Sequence, residues 1–124
     1  MSTIKVDTVQ SSGGGAVGLT KQHAAKVWVN YNSSTTIRDS FGISNLVDDG
    51  TGDYTANFSV TFTNDDFAVS IGGCNGSASA TAYHLSTFDY TTTSVEMQTF
   101  SVSASSVARA DRAMNNLSVH GDLA

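Results

Sequence analysis

Short alternating segments between residues 26 and 58 constrain the fold of this chain more than any other feature. In the first segment, Val27, Val29 and Tyr31 alternate with Trp28 and Asn30. A period of two sends successive side chains to opposite faces of a strand. Similar runs follow at 37–41, 43–47 and 54–58, divided by turns rich in Asn, Asp and Gly. This spacing predicts consecutive antiparallel strands.

The remainder of the chain continues the pattern. Strands are predicted at 67–71, 83–90, 95–100 and 117–121, and Val60–Phe62 either extends the preceding strand or begins another. About seven to nine short strands at this spacing indicate an all-β fold, an antiparallel sandwich or a closed barrel. We predict the β-sandwich, of a jelly-roll-like kind.

Three other segments carry more specific expectations. The segment 83–90 has bulky side chains on both faces, which favours a central strand. Residues 75–81 are expected to form a loop. Residues 103–116 are interpreted as a long loop, with a short helix at 107–114 as the alternative. Residues 16–25 fit either a short strand at 17–19 or a helical turn at 21–25.

Residues 1–15 are predicted to form an arm and hinge, distinct from a β-sandwich domain at residues 16–124. Ile4 and Val6 alternate with Lys5 and Asp7, and a Ser- and Gly-rich hinge follows. A single strand is not stable alone, so it must add to a sheet edge in its own domain or in another protein. A frayed terminus and an attachment arm are the two interpretations.

The composition indicates a thin core. Ser, Thr and Gly make up about a third of the chain, above their ordinary usage. Thr suits strands because it is β-branched, but Ser and Gly fill little core volume. Because thin sheets gain stability from neighbouring subunits, we expect an oligomer.

The charge balance excludes several classes of partner. The formal net charge is −5 with only six Lys and Arg residues, which argues against binding to nucleic acid. No apolar run is long enough to span a membrane, and the N-terminus lacks the apolar core of a signal peptide. Cys74 is the only cysteine, so an intrachain disulfide is excluded.

Catalytic and zinc motifs are not recognisable. The chain contains no G-x-S-x-G elbow. The histidines, His23, His84 and His120, are too scattered for a zinc site and are interpreted as solvated or sheet-face side chains. We therefore expect no enzyme activity and no cofactor.

The acidic segment 48–53, DDGTGD, allows two interpretations. Its carboxylates are suitable calcium ligands. Its spacing does not match a helix-flanked calcium loop, however, and Asp-Gly and Thr-Gly are ordinary turn formers. We therefore predict a turn.

Trp28 raises the question of sugar binding. It lies opposite Val27, Val29 and Tyr31 on the predicted strand, so one face of that strand presents its bulk outward. An exposed aromatic near Trp28 or Tyr83 could stack on a sugar ring. Large aromatics are mostly buried, which favours coverage of both faces, by a second sheet and by a neighbouring subunit.

The central block also supports a resemblance to a known family. The residues that carry it are AKVWVNYN at 25–32, IRDSF at 37–41 and DGTGDYTANF at 49–58, with STIKVDTVQ at 2–10 and VHGDLA at 119–124. The chain resembles the tail-fibre-like virion structural proteins of marine tailed bacteriophages, including those of cyanobacteria. The likeness covers nearly the whole chain and is most specific in the central block.

The resemblance implies a virion location and a homotrimer without enzyme activity. We expect a short tail-fibre or tail-appendage protein. Ile4, Val6 and Val9 of the arm would dock on another virion protein of the tail or near the portal. Host surface, including surface glycan, would be contacted by two loops, at 75–81 and 103–115. The residues chosen as candidates in these loops are Asn75, Ser77, Ser79, Arg109 and Arg112.

Other functions stay open at this point. The chain is short for a fibre and has no repetitive shaft, so a head fibre or capsid decoration protein is an alternative. A free carbohydrate-binding module is another, and a hydrolase a third. The hydrolase would need a titratable pair within hydrogen-bond reach in a pocket.

Overall fold

The computed structural model describes residues 12–13, 24–74 and 82–124. The strands are β1 (Val27–Tyr31), β2 (Ile37–Phe41), β3 (Ile43–Gly50), β4 (Asp53–Phe58), β5 (Ala68–Cys74), β6 (Ala82–Thr91), β7 (Ser94–Val102), β8 (Val107–Arg109) and β9 (Met114–His120). The described residues contain no helix. The prediction of an all-β chain is therefore confirmed.

The strands form two antiparallel sheets. The first sheet has the order β2-β1-β9-β5, and the second has the order β3-β4-β7-β6 with β8 also paired to β7. The chain passes from β2 in the first sheet to β3 in the second through Gly42, whose φ of 72° suits glycine. The two sheets face each other in a sandwich-like arrangement, as predicted from the strand spacing.

The core lies between the inner strands of the two sheets. Its members are Val27, Val29 and Tyr31 of β1, Leu117 and Val119 of β9, Tyr54, Ala56 and Phe58 of β4, Val95 and Met97 of β7, and the loop residues Phe62 and Phe67. On each of these strands, alternate side chains are buried. Period two in the sequence therefore becomes the inner face of the sandwich.

Aromatic rings fill both ends of this core. At one end, Tyr31 and Tyr54 meet edge to face with centroids 5.4 Å apart. At the other, Phe58, Phe62 and Phe67 form a cluster in which each ring contacts the other two, with centroid distances of 4.7 to 6.0 Å. Such pairs contribute about 1 kcal/mol each beyond their burial. They add stability that the small Ser and Gly residues cannot supply.

The segment 103–116 differs from its prediction. It was interpreted as a loop, yet it contains β8 and the first residues of β9. Val107, Ala108 and Arg109 pair with the end of β7. The alternating pattern is hard to read there because all three side chains are exposed. The helix at 107–114 is excluded as well.

The position of β6 also differs from its prediction. Bulk on both faces favoured a central strand, but β6 ends the strand order of the second sheet. The strand has an irregularity between Phe88 and Tyr90, where Asp89 has a φ of 42°. It places the Tyr90 side chain on the opposite face of β6 from Phe88, although simple alternation would put both on one face. Phe88 is exposed, whereas Tyr90 packs on the core beside Phe67 at 5.4 Å.

Some expectations concern other parts of the chain. Val60–Phe62 forms no strand; Phe62 makes an isolated bridge to Leu123 and is buried. The arm, the segment 16–23 and the loop 75–81 lie outside the described residues. The division into residues 1–15 and 16–124 therefore stays a prediction.

Gly52 marks the point where two strands share one edge of β7. β4 pairs with Ser94–Gln98 and β8 pairs with Phe100–Val102, so the two strands lie end to end. Thr99 lies between them: its N–H donates to Gly52 O at 2.8 Å, and its Oγ1 donates to Ala110 O at 2.7 Å. A Cβ on Gly52 would lie 2.5 Å from Thr99 O and 2.7 Å from Ala110 N. Only glycine fits this junction.

We predict that Gly52→Ala lowers the free energy of unfolding by about 2–4 kcal/mol, because the methyl group meets backbone at a φ of 64°. Urea unfolding followed by circular dichroism measures the change. Gly50→Ala is the matched control: Gly50 also has a positive φ, but nothing lies within 4 Å of its added Cβ. Equal losses in the two variants would show that the crowding at Gly52 is unimportant.

Candidate binding face

Two aromatic side chains lie next to each other on the outer surface of the first sheet. Trp28 of β1 pairs with Phe41 of β2, and cross-strand partners share one face. Phe41 is 57% exposed and Trp28 is partly buried. Because Val27 and Val29 point into the core, the prediction that Trp28 faces the other way is confirmed.

Polar side chains lie beside this pair. Asn30 is two residues beyond Trp28 on β1, and it pairs with Asp39 of β2 and with Asn116 of β9. Residues two apart on a strand are about 7 Å apart on the same face. We call the surface formed by Trp28, Phe41, Asn30, Asp39 and Asn116 the aromatic face.

The outer surface of the second sheet is acidic. Glu96 of β7 pairs with Thr55 of β4 and with Phe88 of β6. The pKa of Glu96 is raised, first by its partial removal from water and then by the negative charges of Asp89, Asp49 and Asp53. We call these four carboxylates the carboxylate face. Its chemistry differs from that of the aromatic face.

The predicted turn at residues 48–53 is confirmed, and its carboxylates bind other groups of the protein. Asp48 Oδ1 accepts from Gly50 N at 3.1 Å, and Asp49 Oδ2 accepts from Thr55 Oγ1 at 2.6 Å. Asp53 Oδ2 bonds to Arg109 Nη1 at 2.6 Å. These bonds stabilise the hairpin of β3 and β4, as the turn interpretation predicts. In the described part of the chain, no cluster of His, Cys, Asp or Glu could hold a metal ion.

Two buried tyrosines, Tyr31 and Tyr54, have raised pKa values, which disfavours the transfer of their hydroxyl protons. Burial, followed by the neighbouring Tyr54, raises the pKa of Tyr31. The pKa of Tyr54 is raised by burial first and then by the hydrogen bond from its hydroxyl to Asp111 Oδ1, at 3.0 Å. Both hydroxyls therefore stay protonated at physiological pH. They serve packing and hydrogen bonding rather than proton transfer.

The candidate contact residues in the segment 103–115 have different surroundings. Arg109 is exposed and bonds to Asp53, which joins β8 to β4. Arg112 is only 6% exposed, so its side chain is not at the surface as a host contact requires. Arg109 is therefore the exposed one of the two candidate residues in this segment.

The remaining candidate residues lie outside the described part. These are Ile4, Val6 and Val9 of the arm and Asn75, Ser77 and Ser79 of the loop. His23 and the side chain of Tyr83 also lie outside the described part. His84 and His120 are at the surface of different sheets, where His84 lies beside Phe100 and His120 beside Ser118. The structure thus does not bring these two histidines together.

Sequence reasoning missed most of the aromatic face. It singled out Trp28, but it did not select Phe41, Asn30, Asp39 or Asn116. The available signal was the hairpin of β1 and β2, whose register brings Phe41 to Trp28. Asn116 comes from the far end of the chain, and no local pattern predicts its pairing with Asn30.

Comparison with models of protein families, with curated proteins and with solved structures finds no match. No helix of the described residues is long and apolar enough to cross a membrane.

We predict that Glu96→Gln stabilises the protein at pH 7. Because the pKa of Glu96 is raised in the folded protein, its ionised form opposes folding. The cost is present above the raised pKa and disappears as the pH falls below the ordinary value of 4.5. The urea midpoint should therefore rise at pH 7, stay unchanged at pH 4, and rise less in high salt.

Asp65→Asn is the control for this experiment. It also removes one negative charge, but from the loop before β5 and away from the carboxylate face. A similar stabilisation in both variants would indicate an effect of net charge. It would contradict a local effect of the four carboxylates.

Proposed function

We propose that the protein is a structural component of a bacteriophage virion, a short tail-fibre or tail-appendage protein. In this proposal it is a homotrimer of jelly-roll-like sandwiches. An N-terminal arm attaches it to another virion protein, and the domain faces outward, where it contacts the host surface. It acts by binding and assembly, without a catalytic step.

The observation that carries the proposal is the place of the central block in the fold. The block that resembles the virion proteins, residues 26–58, forms β1 to β4. These strands supply two neighbours in each sheet and half of the buried core. The residues of the resemblance are therefore those on which the sandwich itself depends.

The arm is proposed from its sequence. Ile4, Val6 and Val9 are apolar residues in a strand-like pattern, followed by a glycine hinge. Such a segment can add to the sheet edge of another protein while the hinge accommodates the angle between them.

Exposed apolar side chains on the outer strands support association of identical copies. Ile37 on β2 and Val47 on β3 are both about 38% exposed. β2 and β3 each end the strand order of their sheet. Edge strands of this kind are commonly covered by another subunit. The carboxylate face is a poor choice for such a contact, because like charges repel.

We predict that the full chain is a trimer in size-exclusion chromatography with light scattering. A chain lacking residues 1–12 should still form a trimer and keep its β-sheet circular dichroism and its thermal midpoint. It should no longer be incorporated into particles. The physical reason is that the arm, in this proposal, supplies attachment and not core. A stable monomer, or normal incorporation of the truncated chain, would contradict the proposal.

A pair of double variants sharpens the test of the arm. Ile4→Asp with Val6→Asp should abolish incorporation, because charge on the apolar face opposes docking. Lys5→Ser with Asp7→Ser changes the opposite face of the predicted strand and should leave incorporation intact. Immunogold electron microscopy of particles then distinguishes a tail position from a head fibre or a capsid decoration.

A further inference from the structure

We infer that the aromatic face binds one neutral sugar unit of a glycan. The inference deepens the proposed function, because it names the chemical class of the host ligand. It rests on that function only for the source of the glycan. Binding itself can be tested on the isolated protein.

The first argument is the aromatic pair. Trp28 and Phe41 are cross-strand partners on adjacent strands, about 4.8 Å apart at the backbone, so both side chains leave the same face of the sheet. Phe41 is more than half exposed although it is a large aromatic residue, and such residues are usually buried. The apolar ring face of a sugar can stack on a surface of this kind.

The second argument is the row of polar groups next to the pair. The amides of Asn30 and Asn116 face the same side of the sheet as Trp28. Within the described ranges, neither side-chain amide makes a hydrogen bond to another protein group. Each amide can donate and accept at once, which suits neighbouring hydroxyls of a sugar.

Gly72 of β5 gives this row its shape. It pairs with Asn116, and a Cβ at Gly72 would lie only 2.8 Å from Asn116 Oδ1. The missing side chain therefore lets the Asn116 amide extend over β5. The polar row is thus spread across β2, β1 and β9, with the Asn116 amide at the end nearest β5.

The size and polarity of the face argue for a sugar over a second copy of the chain. A specific protein interface buries about 800 Å² on each partner around an apolar centre. Here the neighbours of the aromatic pair are polar: Ser118 pairs with Trp28, and Ser70 pairs with Ser118. Two aromatic rings with polar surroundings match one sugar ring better than a subunit.

The charge of the face selects among sugars. Asp39 lies in the row with Asn30, and its Oδ1 accepts from Ser40 N at 2.9 Å. A carboxylate at this position accepts hydroxyl hydrogen bonds but repels a second carboxylate. Lys26, two residues before Trp28, alternates onto the same side of β1 and offsets the charge of Asp39. The face therefore has little net charge with which to attract a charged sugar, and neutral sugars are expected to bind better than uronic acids.

The test uses Trp28 itself, which is the only tryptophan of the chain. The full chain is titrated with methyl glycosides of glucose, galactose, mannose and N-acetylglucosamine, and with methyl glucuronide. We expect a saturable change of tryptophan emission with at least one neutral sugar, and weaker binding of glucuronide. Phe41→Ala should reduce the affinity about tenfold or more, through loss of the stacking contact.

Phe88→Ala is the matched control, because Phe88 is also an exposed aromatic but lies on the other sheet. It should leave the affinity unchanged. Asn116→Ala should weaken binding, and thermal unfolding checks that all variants fold. Trp28→Ala, followed by calorimetry, should lose binding altogether.

Three outcomes would overturn the inference. The first is the absence of any emission change with the whole panel, and the second is binding that survives in both Phe41→Ala and Trp28→Ala. The third is a dependence of Trp28 emission on protein concentration without sugar, with a lower mass for Phe41→Ala, because it would make the face a subunit contact. Particle incorporation is measured separately, so a failure here leaves the virion proposal standing, and the reverse also holds.

Discussion

The second sheet depends on one edge of β7, which pairs with both β4 and β8. These two strands are distant from each other in sequence. Thr99 is almost completely buried and lies where β4 begins and β8 ends. Its backbone and hydroxyl hold Gly52 on one side and Ala110 on the other. Asp111 then accepts from both Gly52 N and Tyr54 Oη. This hydrogen-bonded junction fixes β8, and it continues directly into the path of β9.

The register of β9 has consequences for both sides of the first sheet. Leu117 and Val119 point into the core and pair with Val29 and Val27 of β1. The same register requires that Asn116 and Ser118 point outward, beside Asn30 and Trp28. A shift by one residue would exchange these two sets. Core packing therefore positions the aromatic face without any additional device.

The sequence predicted those parts of the fold that depend on local alternation. β1, β4, β7 and β9 have a clear period of two because one side of each strand is buried. The short β8 was missed, since its side chains are all exposed and the periodicity has no physical cause there. The edge position of β6 was missed because an irregularity near Asp89 changes the face of the following side chain.

The candidate site was predictable only in part, for a related reason. Trp28 is recognisable because it interrupts an apolar alternation within one strand. Its neighbours Phe41 and Asn116 belong to other strands, and strand pairing depends on the whole sandwich. Arg112 was chosen as a polar loop residue, yet it is buried, which composition alone could not indicate.

The unequal charge of the two outer surfaces gives the domain a preferred direction of approach. Three carboxylates surround Glu96 on one broad side, and one of them, Asp53, is compensated by Arg109. The opposite side, around Trp28, carries mainly uncharged groups. Near an anionic envelope the domain would rotate so that its acidic side points away, within a screening length of about 8 Å at 0.15 M ionic strength. Electrostatic repulsion on one side would thus present the aromatic rings first.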